Sequence, residues 1–371
     1  MGRHTKTRSG SHCVAFALAC ALAPSTLLAQ AGEWTVDAVP VVSIGELDGP
    51  EEYQLFNPLQ AFVLSDGTIV VQDNLRGQFD VRYFGPDGRH MATVGGWGQG
   101  PYEFQGVLTA VMPALTSVGI DPPHVAVSKT VGSGMPSPGV QRFSEAVLML
   151  DLTTGAATAV AELEGPAAFY ERVGPGWTWY RTPFGPQARV VGGGGLLWIG
   201  DSSSRDIRGY RPGTRDPVVV VKSGFEPADV SREDRARMRE AYASRDSGER
   251  RKRWARYAAS MEFPERMPFY GQLKSDRSGN LWVQEYDPPW EEGPQRWKVY
   301  SPEGEELADV VVPEAAVPSC SRQVVGDCRA YGSPLDVGPD YMLLRQDDDM
   351  GVARIVRFEI RHGGSRQRPD R

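Results

Sequence analysis

The sequence is short of the residues on which most metal and redox chemistry draws. It has 4 Cys and 5 His in 371 residues. Two of each fall within the first 31 residues, which leaves Cys320 and Cys328 with His90, His124 and His362. That set cannot build a zinc ribbon or a Cys/His cluster. No apolar run approaches the ~20 residues of a membrane-spanning helix. Bases are outnumbered, 40 Lys and Arg against 47 Asp and Glu, for a net charge of −7. An acidic surface repels phosphate backbones, which argues against a nucleic-acid partner. There is no Gly-x-Ser-x-Gly nucleophile elbow. The run Gly192 to Gly195 lacks the Gly-Lys-Ser/Thr ending of a phosphate loop and reads as a turn.

Turn formers are plentiful: 42 Gly and 29 Pro make up about a fifth of the chain, above the usual share. Such a composition suits short strands and tight turns rather than a helical bundle. The first 31 residues are an address label. Arg3, Lys6 and Arg8 precede the apolar stretch Cys13 to Ala23, and Ala29-Gln30-Ala31 follows as a small-x-small cleavage pattern. An exported protein, periplasmic or extracellular, is expected. Lipid anchoring through Cys20 is the lesser alternative, because Ala17 stands where a lipoprotein leader carries Leu. Removal of residues 1–31 takes away three bases and no acid, so the mature charge falls to −10. In an oxidising compartment Cys320 and Cys328 are expected to close one disulfide loop.

A unit of turn, apolar strand, polar loop, second strand, Gly turn and third strand recurs along the mature chain. The first copy runs Ser65-Asp66-Gly67, Thr68 to Val71, Asp80 to Phe84, Gly85-Pro86-Asp87-Gly88 and His90 to Val94. Others start near His124, Gly195, Arg277 and Gly338. Asp-Gly and Pro-Asp-Gly supply the backbone angles that tight hairpins require. One such sheet cannot bury both of its faces alone, whereas sheets arranged radially about an axis can. The expected fold is all-β: a β-propeller of five to six four-stranded blades over residues 33–362, with residues 363–371 as a disordered tail. The C-terminal copy is one strand short, and Glu33 to Gly45 has no sheet of its own. Closure of the ring therefore predicts contact between residues 35–44 and 352–361. A helical insertion is expected over 229–261, opened by the capping-box pattern Ser231-x-x-Asp234 and carrying Trp254, Tyr257, Ala258 and Met261 at helical spacing. Its basic run, Arg250 to Arg253, reads as a solvated helix face.

The stretch Val94-Gly95-Gly96-Trp97-Gly98-Gln99-Gly100-Pro101-Tyr102-Glu103-Phe104 resembles a turn of bacterial exported six-bladed β-propellers of the NHL-like kind. Asn280 to Val283, Pro288-Pro289 and the closing Asp347-x-x-x-Gly351-Val352-x-Arg354-Ile355-Val356 are similar to later blades of that group. Two departures stand out: Tyr102 occupies a usual Gly position, and Phe104 to His124 is too little chain for a full blade.

Propellers bind ligands where inter-strand loops converge at one mouth of the channel. Residues just after the inner strand segments are Asp73, Asn74, Asp201, Glu285, Tyr286 and Asp347 to Asp349; Trp97 and Trp290 sit in loops beside Gly and Pro. The acids Asp73, Asp201, Glu285 and Asp347 can cap turns, or they can hold Ca²⁺, which wants six to eight oxygens. The likeness to six-bladed lactonases implies a calcium with a His base, yet His124 has no acid at a recognisable spacing. Two readings follow. One is a non-catalytic exported propeller, expected to be a monomer without cofactor, which binds a protein, peptide or glycan at the mouth. The other is a calcium-dependent hydrolase or lyase that uses the carboxylate ring. Trp177 and Trp179 are read as loop aromatics alongside Trp97 and Trp290, available for stacking, with Tyr180 a further aromatic next to them.

Overall fold

The computed structural model describes residue 2 and residues 31–363, apart from 59, 76–77, 96–117, 122–123, 131–135, 152, 246, 292, 318–333 and 349. The leader, Trp97 and the turn around it, Cys320 and Cys328, Asp349 and the tail from 364 lie outside the described residues.

The described chain is mostly strand. β1 (Gly32–Val36) and β2 (Val42–Ile44) come first. A first antiparallel sheet follows in chain order: β3 (Gln60–Val63), β4 (Ile69–Leu75), β5 (Gln78–Phe84) and β6 (His90–Gly95). The second sheet takes β7 (Val118–Asp121) and β8 (His124–Thr130), skips the short β9 (Gly139–Gln141), and continues with β10 (Ser144–Asp151) and β11 (Ala157–Glu164). β9 joins β12 (Ala168–Val173) and β13 (Gly176–Arg181) in a separate three-stranded sheet. The third four-stranded sheet is β14 (Ala188–Gly193), β15 (Leu196–Asp201), β16 (Asp206–Tyr210) and β17 (Val219–Lys222). Helices α1 (Arg232–Ala243) and α2 (Gly248–Ser260) come next. The fourth sheet is β18 (Leu273–Ser275), β19 (Leu281–Gln284), β20 (Gln295–Tyr300) and β21 (Glu306–Val312). The fifth is β22 (Asp336–Val337), β23 (Tyr341–Asp347) and β24 (Ala353–His362), completed by β2.

The recurring unit thus corresponds to strands two, three and four of each sheet. The first strands were not legible as part of it, because several are short and interrupted by polar residues. These first strands are neighbours in series: β7 lies beside β14, β14 beside β18, β18 beside β22, and β22 beside β3. Apolar layers fill the spaces between successive sheets. Trp198, Leu273, Leu281 and Val283 pack between the third and fourth. Trp282, Val310, Met342 and Phe358 pack between the fourth and fifth, and Ile69, Val71, Leu343 and Ile355 between the fifth and first. Second strands are covered on both faces, so Leu196 to Ile199 and Leu281 to Val283 are each at most 3% exposed. A strand buried on both sides reads as a continuous apolar run.

Close approach explains the glycine run. Gly192 and Gly193 belong to β14, and only Gly194 and Gly195 turn, with φ of +55° and +76°. A Cβ on Gly194 would lie 2.4 Å from the Gly279 nitrogen of the next sheet. The Asp276 carboxylate organises that turn. It accepts from the backbone of Ser278 and Asn280 (2.9 and 3.0 Å) and from the indole N–H of Trp282 (3.2 Å).

The N-terminal strands close the last sheet, as their lack of a sheet of their own predicts. β2 pairs with β24 in the register Val42↔Arg357, Ser43↔Val356, Ile44↔Ile355. β1 runs antiparallel to the far end of β24, Trp34↔His362 through Val36↔Ile360, and parallel to β21. The helical insertion also forms. The Ser231 hydroxyl accepts from the Asp234 N–H at 3.0 Å, and the Asp234 carboxylate accepts from the Ser231 N–H at 2.9 Å. No helix among the described residues is long and apolar enough to cross a membrane.

Ile44 is fully buried between the fifth and first sheets, whereas Val41 is half exposed. Ile44→Ala should lower unfolding stability by about 2–4 kcal/mol, and Val41→Ala by less than about 0.5 kcal/mol, both measured by equilibrium urea denaturation.

Candidate functional site

Asp73, Asp201 and Asp347 lie at the same end of the second strand of their sheets, and Glu285 directly follows that strand in its own. Each is already engaged. Asp73 is fully buried; one oxygen accepts from the Asn57 and Asn74 N–H groups (2.7 and 2.9 Å) and the other from Phe56 N–H (2.9 Å). Arg82 stands 3.6 Å from it and donates to three carbonyls, those of Glu51, Glu52 and Gln54 (3.2, 3.2 and 2.8 Å). The same guanidinium pairs with Asp80 at 3.0 Å. Burial nevertheless holds the Asp80 carboxyl above the usual range, against the pull of Arg82. Asp347 pairs with Arg345 at 3.0 Å, and Arg345 reaches the Asn57 side-chain oxygen (2.9 Å) and the Pro58 carbonyl (3.2 Å). Asp73, Asn74 and Asp347 therefore come together around Asn57, at the join between the first and fifth sheets.

Asp201 is held elsewhere. Arg142 donates to it at 2.7 Å and also to the carbonyls of Glu164 and Gly165. Glu285 pairs with Arg296 at 2.6 Å. Tyr286 and Trp290, on the loop after Glu285, pack against the core shared by the helices and the three-stranded sheet; Trp290 meets Phe184 edge-on, ring centres 5.7 Å apart. Between them Asp287 is pushed up to about 6, by burial first and then by Glu285 and Glu291. Among the described residues no three His, Cys, Asp or Glu side chains are grouped to hold a metal ion. The acids expected to form a ring instead bind backbone N–H groups and arginines, which compensates their charge locally. His124 lies in β8, paired across to Asp151 of β10.

Trp177 and Trp179 lie in β13 with Tyr180, not in a loop. A three-residue β9 donated from inside the second sheet, and a partner strand, β12, that carries Glu171 and Arg172, hid this sheet from the pattern. Its register sorts the aromatics. Phe169 pairs with Tyr180, and this face meets the helices: Tyr180 stacks on Tyr257 at 4.2 Å, and Phe169 lies 5.7 Å from the same ring. Tyr170 pairs with Trp179, and Arg172 with Trp177, on the opposite face. There Trp179 is 57% exposed, and Tyr170 is half-buried with Phe143 against its edge. Trp177, Trp179 and Tyr170 thus form one outward aromatic face, with Arg172 and Arg181 exposed beside it.

No protein-family model matches the sequence, and no curated protein matches it. Solved structures resemble it only distantly. A Bacteroides fragilis protein inferred to be exported is 11% identical, with a TM-score of 0.36 over 89% of this chain and 96% of its own. The glutaminyl cyclase of Myxococcus xanthus is 9% identical, TM-score 0.28, over 90% and 99%. A family 117 glycoside hydrolase of Zobellia galactanivorans is 10% identical, TM-score 0.29, over 89% and 90%. At such values these likenesses say nothing of chemistry.

Arg82→Met would leave Asp73 buried without a counter-charge and should cost about 3–5 kcal/mol of stability. Urea titration should find the same cost with and without millimolar Ca²⁺; rescue by Ca²⁺ would assign these acids to a cation. Asp287 binds its proton more tightly folded than unfolded, so its contribution to stability should fall as pH rises from about 4 to about 6. Denaturation at stepped pH should find that slope flattened in Asp287→Asn.

Proposed function

We propose that this chain is an exported, non-catalytic β-propeller of five four-stranded blades that binds a glycan on the outward face of its three-stranded sheet. Five sheets whose first strands neighbour one another in series, the last completed by an N-terminal strand, support the propeller. The residue 1–31 leader supports export. In this reading the domain spans residues 33–362, and a loop closed by Cys320 and Cys328 staples its C-terminal part.

The observation that carries the binding role is the Tyr170, Trp177 and Trp179 face. Alternate residues on one strand lie about 6.8 Å apart, so Trp177 and Trp179 make a flat platform rather than a pocket. A contiguous exposed aromatic patch, unlike a single exposed side chain, marks an interaction surface. A sugar ring offers a C–H face for the indole and a rim of hydroxyls for Arg172 and Arg181. The opposite face is fixed on α1 and α2, so the platform is rigid before a ligand arrives, which lowers the entropy lost on binding. Glu285, Tyr286 and Trp290 belong to the loop that braces the same module. Asn74, Asp201 and Asp347, with Trp97, remain the candidates for a second contact surface at the channel mouth, whereas the buried Asp73 serves the fold there.

A glycan and peptide array probed with the mature chain tests this reading. A retained glycan should lose about tenfold or more in affinity on Trp179→Ala, with the thermal midpoint unchanged. Binding of peptides alone, or glycan binding indifferent to Trp179, would overturn it.

A further inference from the structure

The aromatic face of the three-stranded sheet has a charge pattern of its own. Across β12 and β13 the register places Arg172 beside Trp177 at the hairpin end, Tyr170 beside Trp179 in the middle, and Ala168 beside Arg181 at the open end. β9 adds Gly139 beside Tyr170 and Gln141 beside Ala168. The charges on this face are therefore all cations, because Glu171 pairs with Thr178 on the face that meets the helices. Trp177 and Arg181 are four residues apart along β13, which is about 13–14 Å of strand. A cation thus stands at each end of the platform, with Trp179 between them.

Neither guanidinium is spent on the fold. Arg172 and Arg181 are exposed, and among the described residues neither side chain makes a hydrogen bond, ion pair or ring contact. Exposed arginines on other strands do find acids: Arg296 meets Glu285 at 2.6 Å and Arg361 meets Asp37 at 2.7 Å. The strand beneath Arg181 is nonetheless held, since its carbonyl accepts from the Tyr257 hydroxyl at 2.9 Å. Two unpaired cations on one aromatic face run against a mature chain of net charge −10. The face is also rich in groups that only donate. Guanidinium and indole N–H have no acceptor to offer, whereas sugar hydroxyls need both donors and acceptors. The Gln141 amide does not redress the balance, because it already donates to the Ser137 hydroxyl at 2.7 Å.

We propose that the glycan taken by this face is acidic: an oligosaccharide whose carboxylate or sulfate groups meet Arg172 and Arg181 while a sugar ring between them lies on Trp179. The inference rests on the glycan reading of the same face and adds the class of ligand to it. Carboxylate and sulfate oxygens accept without donating, which matches a face of donors, and the planar guanidinium fork can grip either group with two bonds. The distance between the cations asks for a chain of sugars, because one ring cannot reach both. The acidic surface of the rest of the protein repels the same ligand, which confines its binding to this face.

Calorimetric titration of the mature chain with two matched pairs tests the class: an oligogalacturonate with its methyl ester, and a sulfated galactan oligosaccharide with its desulfated form. At about 50 mM salt the acidic member of a pair should bind about tenfold or more tighter than its neutral partner, and the gap should shrink at about 500 mM. Joint replacement Arg172→Gln and Arg181→Gln should remove that preference and leave the weaker, Trp179-dependent binding of the neutral form. The thermal midpoint should not move, because both side chains are exposed and without contacts. A preference within the first pair assigns a carboxylate, within the second a sulfate, and within both the oxyanion chemistry they share. Equal binding of acidic and neutral members, lost on Trp179→Ala, would overturn this inference and leave the glycan face standing. A preference that survives the double replacement, or failure of all four ligands to bind, would overturn it too, while the array decides the glycan reading separately. Acidic binding that needs both arginines but not Trp179 would overturn the glycan reading of the aromatic face instead.

Discussion

A sheet covered on both faces cannot be the last of a row. The third, fourth and fifth sheets present apolar residues on two sides, and four layers of Trp, Leu, Val and Ile join the sheets in series from the second, through the third, fourth and fifth, to the first. The pairing of β24 with β2 and β1 is the constraint on which this arrangement depends. Without it the fifth sheet would end at β24 with an open edge, and Val36 and Ile44 would leave the layers on either side of that sheet. Arg345 and Asp73 act at the same join, through Asn57, and add polar bonds where the apolar layers alone do not set the register.

This explains why acids at matching strand ends serve the scaffold. The end of a strand is where the chain must turn, and the backbone N–H groups there need acceptors. Asp73, Asp276 and Asp348 meet that need in three different sheets: each carboxylate accepts two or more backbone N–H bonds. The hydrogen bonds from Val352 and Met350 hold the Asp348 carboxyl below its usual range, with help from Arg354. A repeating acid is therefore as much a mark of a repeating turn as of a repeating ligand.

Much of the fold was legible for the same reason. Asp66-Gly67, Pro86-Asp87-Gly88 and Ser278-Gly279 punctuate strands whose apolar content is high, and the unpaired segment 33–45 together with a C-terminal copy one strand short implied its own partner. The capping box at Ser231 and Asp234 marked α1 to the residue. What stayed hidden depended on contacts distant in sequence. β18 and β22 have three and two residues, too few for any period. The three-stranded sheet borrows β9 from a loop of another sheet, so Trp177 and Trp179 read as loop residues. The acids read correctly as strand-end residues, but spacing carries no information on which arginine each would meet.

The join at β24 also bears on the order in which the chain can close as it emerges. In N-to-C passage Trp34 and Val42 emerge early, yet their partners, His362 and Arg357, emerge more than 300 residues later. Through that interval two of the earliest strands wait without a neighbour, and the molecule latches shut only when its last strand arrives. A chain stalled late in emergence would still hold β1 and β2 without their β24 partner, with an unpaired edge exposed to whatever binds it first.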